Sequence, residues 1–71
     1  MRILTNISHL NDAIDYYEKI EGHSPYIFIN KETIERTSCY VNISMFNSVL
    51  EYDGCRVFEN NTLDFYEVEL R

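Results

Sequence analysis

Tryptophan is absent from this 71-residue chain, glycine occurs twice and proline once. Two glycines, Gly22 and Gly54, leave no Gly-rich loop that could cradle a phosphate. Cysteine is equally sparse, with only Cys39 and Cys55. Small secreted domains that rely on disulfides usually carry four or more at regular spacing. Two isolated thiols predict a reducing compartment and no bridge. No Cys-x-x-Cys occurs, and His9 and His23 lie far from both cysteines in sequence, so a zinc site has no support. No run of apolar residues approaches the 18 needed to span a bilayer, which predicts no membrane partner. The first six residues, Met-Arg-Ile-Leu-Thr-Asn, show neither an extended apolar run nor a small-residue cleavage site, so no signal peptide is expected. The three N-x-S/T sequons at Asn6, Asn42 and Asn60 are then idle, and the expected location is cytoplasmic.

Positive charge is the last scarcity. Six basic residues face twelve acidic ones, a net charge of −6. Residues 1–40 carry −2 of this and residues 41–71 carry −4. An acidic C-terminal half repels phosphate, and no basic stripe with interleaved aromatics exists, so direct nucleic-acid binding is not expected. The surplus of carboxylates suits a basic protein partner, or serves solubility alone, as in many small domains.

What is present is a globular composition, 45% hydrophobic and 25% charged. The length allows one domain, residues 1–71, which buries only about 60% of the surface its unfolded chain exposes. Ten aromatic residues, six Tyr and four Phe, give a small core large side chains.

The spacing predicts a helix over residues 8–22, capped by Ser8, with Leu10, Ala13, Ile14, Tyr17 and Ile20 as one apolar stripe. Gly22 ends it, because a residue without Cβ accepts the left-handed conformation. After Pro25, Tyr26-Ile-Phe-Ile-Asn30 is a run suited to a central strand covered on both faces. Asn30 caps a short helix over about Lys31 to Thr37. Residues 38–48 fit both strand and helix periodicity and are expected to be irregular or partly helical, leading into a strand at Val49–Tyr52. Asp53-Gly54 predicts a type I′ hairpin with Cys55–Phe58. Phe65–Leu70 alternates Tyr66, Val68 and Leu70 with Glu67 and Glu69, the pattern of a half-buried strand with one wet face. The expected fold is α+β, a small sheet of three to four strands covered by two helices. Leu10, Ile14, Tyr17, Ile27, Ile29, Val57 and Val68 are expected to share one core.

The segments Ile3-Leu-Thr-Asn…Leu10-x-x-Ala-Ile-x-Tyr-Tyr17, Tyr26-Ile-Phe-Ile-Asn-Lys-Glu-Thr33 and Tyr52-x-Gly54-Cys-x-Val-Phe…Asn61-x-Leu63-x-Phe65-x-Glu67-Val68 carry a resemblance. They look like small hypothetical proteins of phages and integrative mobile elements of Gram-positive bacteria. The order of strand, Asn-capped helix, Gly turn and Val-rich strand is also similar to part of the axial domain of the tailed-phage major capsid fold, without its spine helix or extended arm. The matching motifs are caps and turns. They imply a kind of carrier, not a reaction, and fold analogy alone does not supply function.

Catalysis needs a nucleophile or base with an orienting partner. His9 reads as a surface residue at a helix start, and His23 as a residue that caps or faces solvent after Gly22, with a ligand or interface role as the rival reading. Nothing in the spacing joins Cys39 or Cys55 to a histidine. Glu67 and Glu69 share one strand face and could divide acid and base roles, but on an exposed face both are simply solvated. No enzyme and no cofactor are expected.

The six tyrosines, Tyr16, Tyr17, Tyr26, Tyr40, Tyr52 and Tyr66, exceed what so small a core can hide. They either shield a thin core or form a protein-binding face. The sequence therefore predicts a small accessory protein that binds another protein or forms a homodimer, with Tyr16, Tyr66, Glu67 and Glu69 as interface candidates. A dimer could meet along Phe65–Leu70 or along the helix face with Tyr16. A minor virion or assembly component and an acidic mimic of nucleic acid are the alternatives. The mimic would draw on Glu51, Asp53, Glu59, Asp64, Glu67 and Glu69.

Overall fold

The computed structural model describes all of residues 1–71. The chain runs β1 (Ile3–Asn6), a 3-10 turn (Ile7–His9), α1 (Leu10–Glu21), β2 (Ile27–Ile29), α2 (Lys31–Arg36), β3 (Ser44–Phe46), β4 (Val49–Tyr52), β5 (Cys55–Glu59) and β6 (Glu67–Leu70). The fold is α+β with two helices, but the expected sheet of three to four strands is corrected: six strands form one mixed sheet in the order β1-β6-β2-β5-β4-β3.

β1 and β2 both pair antiparallel with β6, which lies between them. β1, α1 and β2 therefore make a split β-α-β unit with the last strand of the chain inserted. β2 and β5 pair in parallel, and β5, β4 and β3 form two antiparallel hairpins. The first strand escapes sequence reading because its only ladder partner is more than 60 residues away. A four-residue strand with no turn signal beside it has no local signature.

α1 begins two residues later than expected and is not capped by Ser8. Asn6 accepts from the Ser8 N–H at 2.9 Å and caps the preceding 3-10 turn instead. Gly22 sits at φ 78° and its N–H donates to the Glu18 carbonyl at 2.9 Å, closing the helix as expected. Asn30 caps α2, accepting from the Glu32 N–H at 2.8 Å while its own amide donates to the Leu63 carbonyl at 3.0 Å.

α1 packs over β1 and β6. Its Leu10, Ala13, Ile14 and Tyr17 join Ile27, Ile29, Val57, Val68 and Leu70 in one core, with Ile34 of α2 packed against it. All seven residues expected to share a core do so. Ile20 is the exception in the predicted stripe: it is exposed, one turn beyond the last buried position of the helix. Apolar residues follow one register across all six strands, Ile3, Leu70, Ile27, Val57, Leu50 and Met45 in that order.

Residues 44–46 correct the reading of 38–48. They form β3, closed onto β4 by a two-residue turn in which Asn47 and Ser48 have φ of 51° and 64°. Two successive positive φ values mark a type I′ turn. Asp53-Gly54 makes the second such turn, as expected, at φ 52° and 78°.

Candidate docking surface

The helices cover one face of the sheet, so strand alternation turns every second side chain toward the other. On that uncovered face Leu4, Glu69, Phe28 and Phe58 stand in one register across β1, β6, β2 and β5. The Phe28 and Phe58 rings stack, with centroids 5.3 Å apart and planes 19° from parallel. Arg71 lies over Phe28 at 4.1 Å and Arg56 over Phe58 at 4.7 Å. A guanidinium over a ring face gains electrostatic attraction and shields the ring from water. Both rings end half-buried under their own arginines. The centre of the uncovered face is thus sealed from within, while Leu4 and Phe46 nearer its two edges stay exposed.

Glu69 shows how complete this sealing is. Its side chain is only 5% exposed and is ion-paired with both Arg2 and Arg71. Burial pushes its carboxyl up, but the hydrogen bonds and positive charge of Arg2 and Arg71 outweigh burial and hold it below its ordinary value. The expectation of a wet face with two solvated glutamates is corrected: Glu69 is enclosed and Glu67 half-buried, its carboxylate accepting from the Asp64 N–H at 3.3 Å.

The interface residues named from sequence do not come together. Tyr16 is 56% exposed on α1, over the covered face, whereas Glu67 and Glu69 belong to the opposite face. Tyr66 packs against the core. The strand expected over Phe65–Leu70 is corrected to Glu67–Leu70, with Phe65 and Tyr66 in a turn, and it cannot serve as a meeting edge because β6 is already paired on both sides.

The remaining candidates are accounted for locally. His9 occupies the N-cap of α1 without a side-chain bond. His23 sets its ring edge-on to Tyr17 at 5.6 Å. Cys39 is exposed and Cys55 buried, both unpaired. Burial above all, then the carboxylate of Glu18 and less strongly those of Asp53 and Glu51, push the Cys55 thiol up, and an opposing hydrogen bond with Ser24 does not offset them. A thiol held protonated in this way is a poor nucleophile. No three His, Cys, Asp or Glu side chains converge as metal ligands. The largest hollow, about 600 Å³, is lined by no hydrophobic residue, unlike the mostly apolar pockets that hold small organic ligands. No helix is long and apolar enough to cross a membrane.

The sheet has two edge strands, β1 and β3. β1 packs under α1 and alternates half-buried with exposed residues, whereas all three residues of β3 are exposed. Met45 and Phe46, on opposite faces of it, are 70% and 77% exposed, the two highest values among the large exposed hydrophobic residues. Beside them Met45, Val49, Leu50, Val57 and Phe58 contribute to a hollow of about 280 Å³. Edge strands usually guard their free backbone groups by being very short, or with charged side chains, Pro, a bulge or covering structure. β3 is short, at three residues, but carries no charge and no Pro, and residues 37–50 form the longest stretch of the chain without a charge. That stretch was visible in the sequence as an interruption of an otherwise charge-rich chain. Its ambiguous periodicity hid the fact that its apolar side chains flank an open edge.

Comparison with protein-family models, curated proteins and solved structures finds no match to this chain.

Proposed function

We propose that this chain is a small cytoplasmic accessory protein, of the phage or mobile-element kind its sequence resembles, that acts without catalysis by binding protein. Its docking site is the free edge of β3, which takes an extended segment as an added strand. The supporting observation is the free, uncharged edge itself, with Met45 and Phe46 standing in water on its two faces. Backbone bonds along the edge supply affinity, and the hollow at Met45, Leu50 and Val57 receives a side chain of the incoming strand. A reducing cytoplasm suits the exposed Cys39 and the buried thiol of Cys55.

Of the alternatives, a minor structural component of a virion uses the same edge, since strand addition is also a means of assembly. The acidic mimic is less well supported. Glu69 is enclosed between two arginines, and Glu67 is half-buried, so the tail carboxylates do not stand free as one array.

The test is affinity capture with the intact chain and two charge variants, Phe46→Lys at the edge and Tyr16→Lys on α1. Partners retained by wild type and Tyr16→Lys but lost by Phe46→Lys support the site. Partners lost only by Tyr16→Lys move it to the helix face.

A further inference from the structure

Resting on the reading of β3 as a docking edge, we propose that its occupant is a second copy of this chain, joined antiparallel across a two-fold axis at Met45 so that two sheets become one of twelve strands.

The backbone supplies the first reason. In an antiparallel ladder, opposed residues alternate between pairs that exchange hydrogen bonds and pairs that do not. Phe46 and Val49 close the two-residue turn and exchange bonds. Met45, opposite Leu50, is therefore a non-bonded partner of β4, and its N–H and carbonyl point to the open edge. A two-fold axis beside Met45 lets each Met45 N–H donate to the carbonyl of the partner's Met45. Both free groups are then satisfied by one symmetric contact.

The second reason is the row of apolar side chains Ile3, Leu70, Ile27, Val57, Leu50 and Met45. It is fully buried at Leu70 and Ile27, half-buried at Leu50, and ends in water at Met45. A strand that continues this row in register needs an apolar residue opposite Met45. The partner's Met45 meets that need, followed by the partner's Leu50 and Val57. On the other face Phe46 lies beside the partner's Ser44, which has no bulk to obstruct it.

The third reason is charge. At −6 this chain repels its own copies over most of its surface, and α1 alone presents Asp12, Asp15, Glu18 and Glu21. The uncharged residues 37–50, which contain all of β3 and its turn, let two copies touch at this edge without opposing like charges. The contact is short, so it belongs to the weak, small class of interfaces. Its salt dependence has a definite sign: salt screens the mutual repulsion of two anionic copies, so association strengthens as salt rises. A basic partner on the same edge would show the reverse.

Analytical ultracentrifugation of the wild-type chain, over a range of concentrations and at low and high salt, tests this directly. The expected mass rises with concentration toward twice the monomer, and more so at high salt. Met45→Lys, which sets two ammonium groups opposite each other at an exposed position, weakens association by at least about tenfold. In a Cys39→Ser background, Met45→Cys is joined to its own copy by a short bismaleimide, whereas Tyr16→Cys is not. A wild-type chain that stays monomeric under all these conditions overturns the second copy as occupant. It leaves the docking edge itself to the Phe46→Lys capture experiment. A dimer that survives Met45→Lys, weakens with salt, or cross-links equally through Tyr16→Cys overturns the two-fold at β3.

Discussion

The backbone N–H of Tyr66 donates to the buried side-chain oxygen of Thr33 across 2.9 Å. Tyr66 sits at φ 59°, a left-handed conformation that a bulky residue adopts only when its surroundings hold it there. Its carbonyl accepts from the Ile7 N–H at 2.6 Å, so the strained residue is fixed on both sides. Thr33→Val keeps the shape and removes the acceptor. The expected cost is about 1–3 kcal/mol in urea denaturation, because the Tyr66 N–H loses its partner. Thr33→Ser, which keeps the oxygen, is expected to lose only about 1 kcal/mol for the missing methyl.

Glu69 makes stability depend on acid. Its carboxyl is held lower in the folded chain than in the unfolded one, where it titrates at about 4.3. The stabilisation from Arg2 and Arg71 is therefore complete above that value and is lost as pH falls through the lower folded value. Glu69→Gln should be less stable than wild type at pH 7, with the difference shrinking progressively as the pH is lowered below about 4. Thermal denaturation across this range measures it, and an unchanged gap at low pH would show that the ion pairs are not its source.

Ile29 is fully buried at the centre of the sheet. Ile29→Ala is expected to cost about 2–5 kcal/mol, the range for an aliphatic truncated in a packed core. A chemical denaturation midpoint indistinguishable from wild type would contradict the packing.

The two thiols should react differently. Alkylation without denaturant is expected to add one label, at the exposed Cys39, and a second at Cys55 only after unfolding. Mass spectrometry with peptide mapping distinguishes the sites. Recovery of a Cys39–Cys55 bridge without reductant would reverse the expectation of free thiols.

Ser48 holds a φ of 64° in the turn between β3 and β4, a conformation that glycine reaches with less strain. Ser48→Gly is expected to stabilise the chain by about 0.5–1 kcal/mol, whereas Gly54→Ala in the second turn, at φ 78°, should destabilise it by about 1 kcal/mol. A Cβ at Gly54 would meet nothing within 4 Å, so the cost there is conformational and not steric. Thermal melts of the two variants, with opposite signs, check both.

Local chemistry was legible in the sequence. The Gly22 stop, the Asn30 cap, the Asp53-Gly54 turn and the helix stripe through Leu10, Ile14 and Tyr17 depend on neighbours a few residues away. The capping oxygen, the missing Cβ and the 3.6-residue period are properties of short segments. The seven-residue core followed, since apolar faces in so short a chain have only one another to bury against.

Pairing over long sequence distances decided the rest. Whether Ile3–Asn6 is a strand depends on a ladder with Glu67–Leu70, and that insertion also makes Glu67–Leu70 an interior strand and not a free edge. Glu69 looks solvated in a list of residues because period two turns it away from Val68 and Leu70. Only the fold brings Arg2 from one end of the chain and Arg71 from the other to enclose it. Asn47-Ser48 gave no strong turn signal, because the positive φ values it adopts are held by the register of β3 on β4 and not by glycine. The sequence alone determined the helices, one hairpin and the core. The tertiary structure decided which strand is left at the edge, because backbone groups are satisfied by partners that residue order does not reveal.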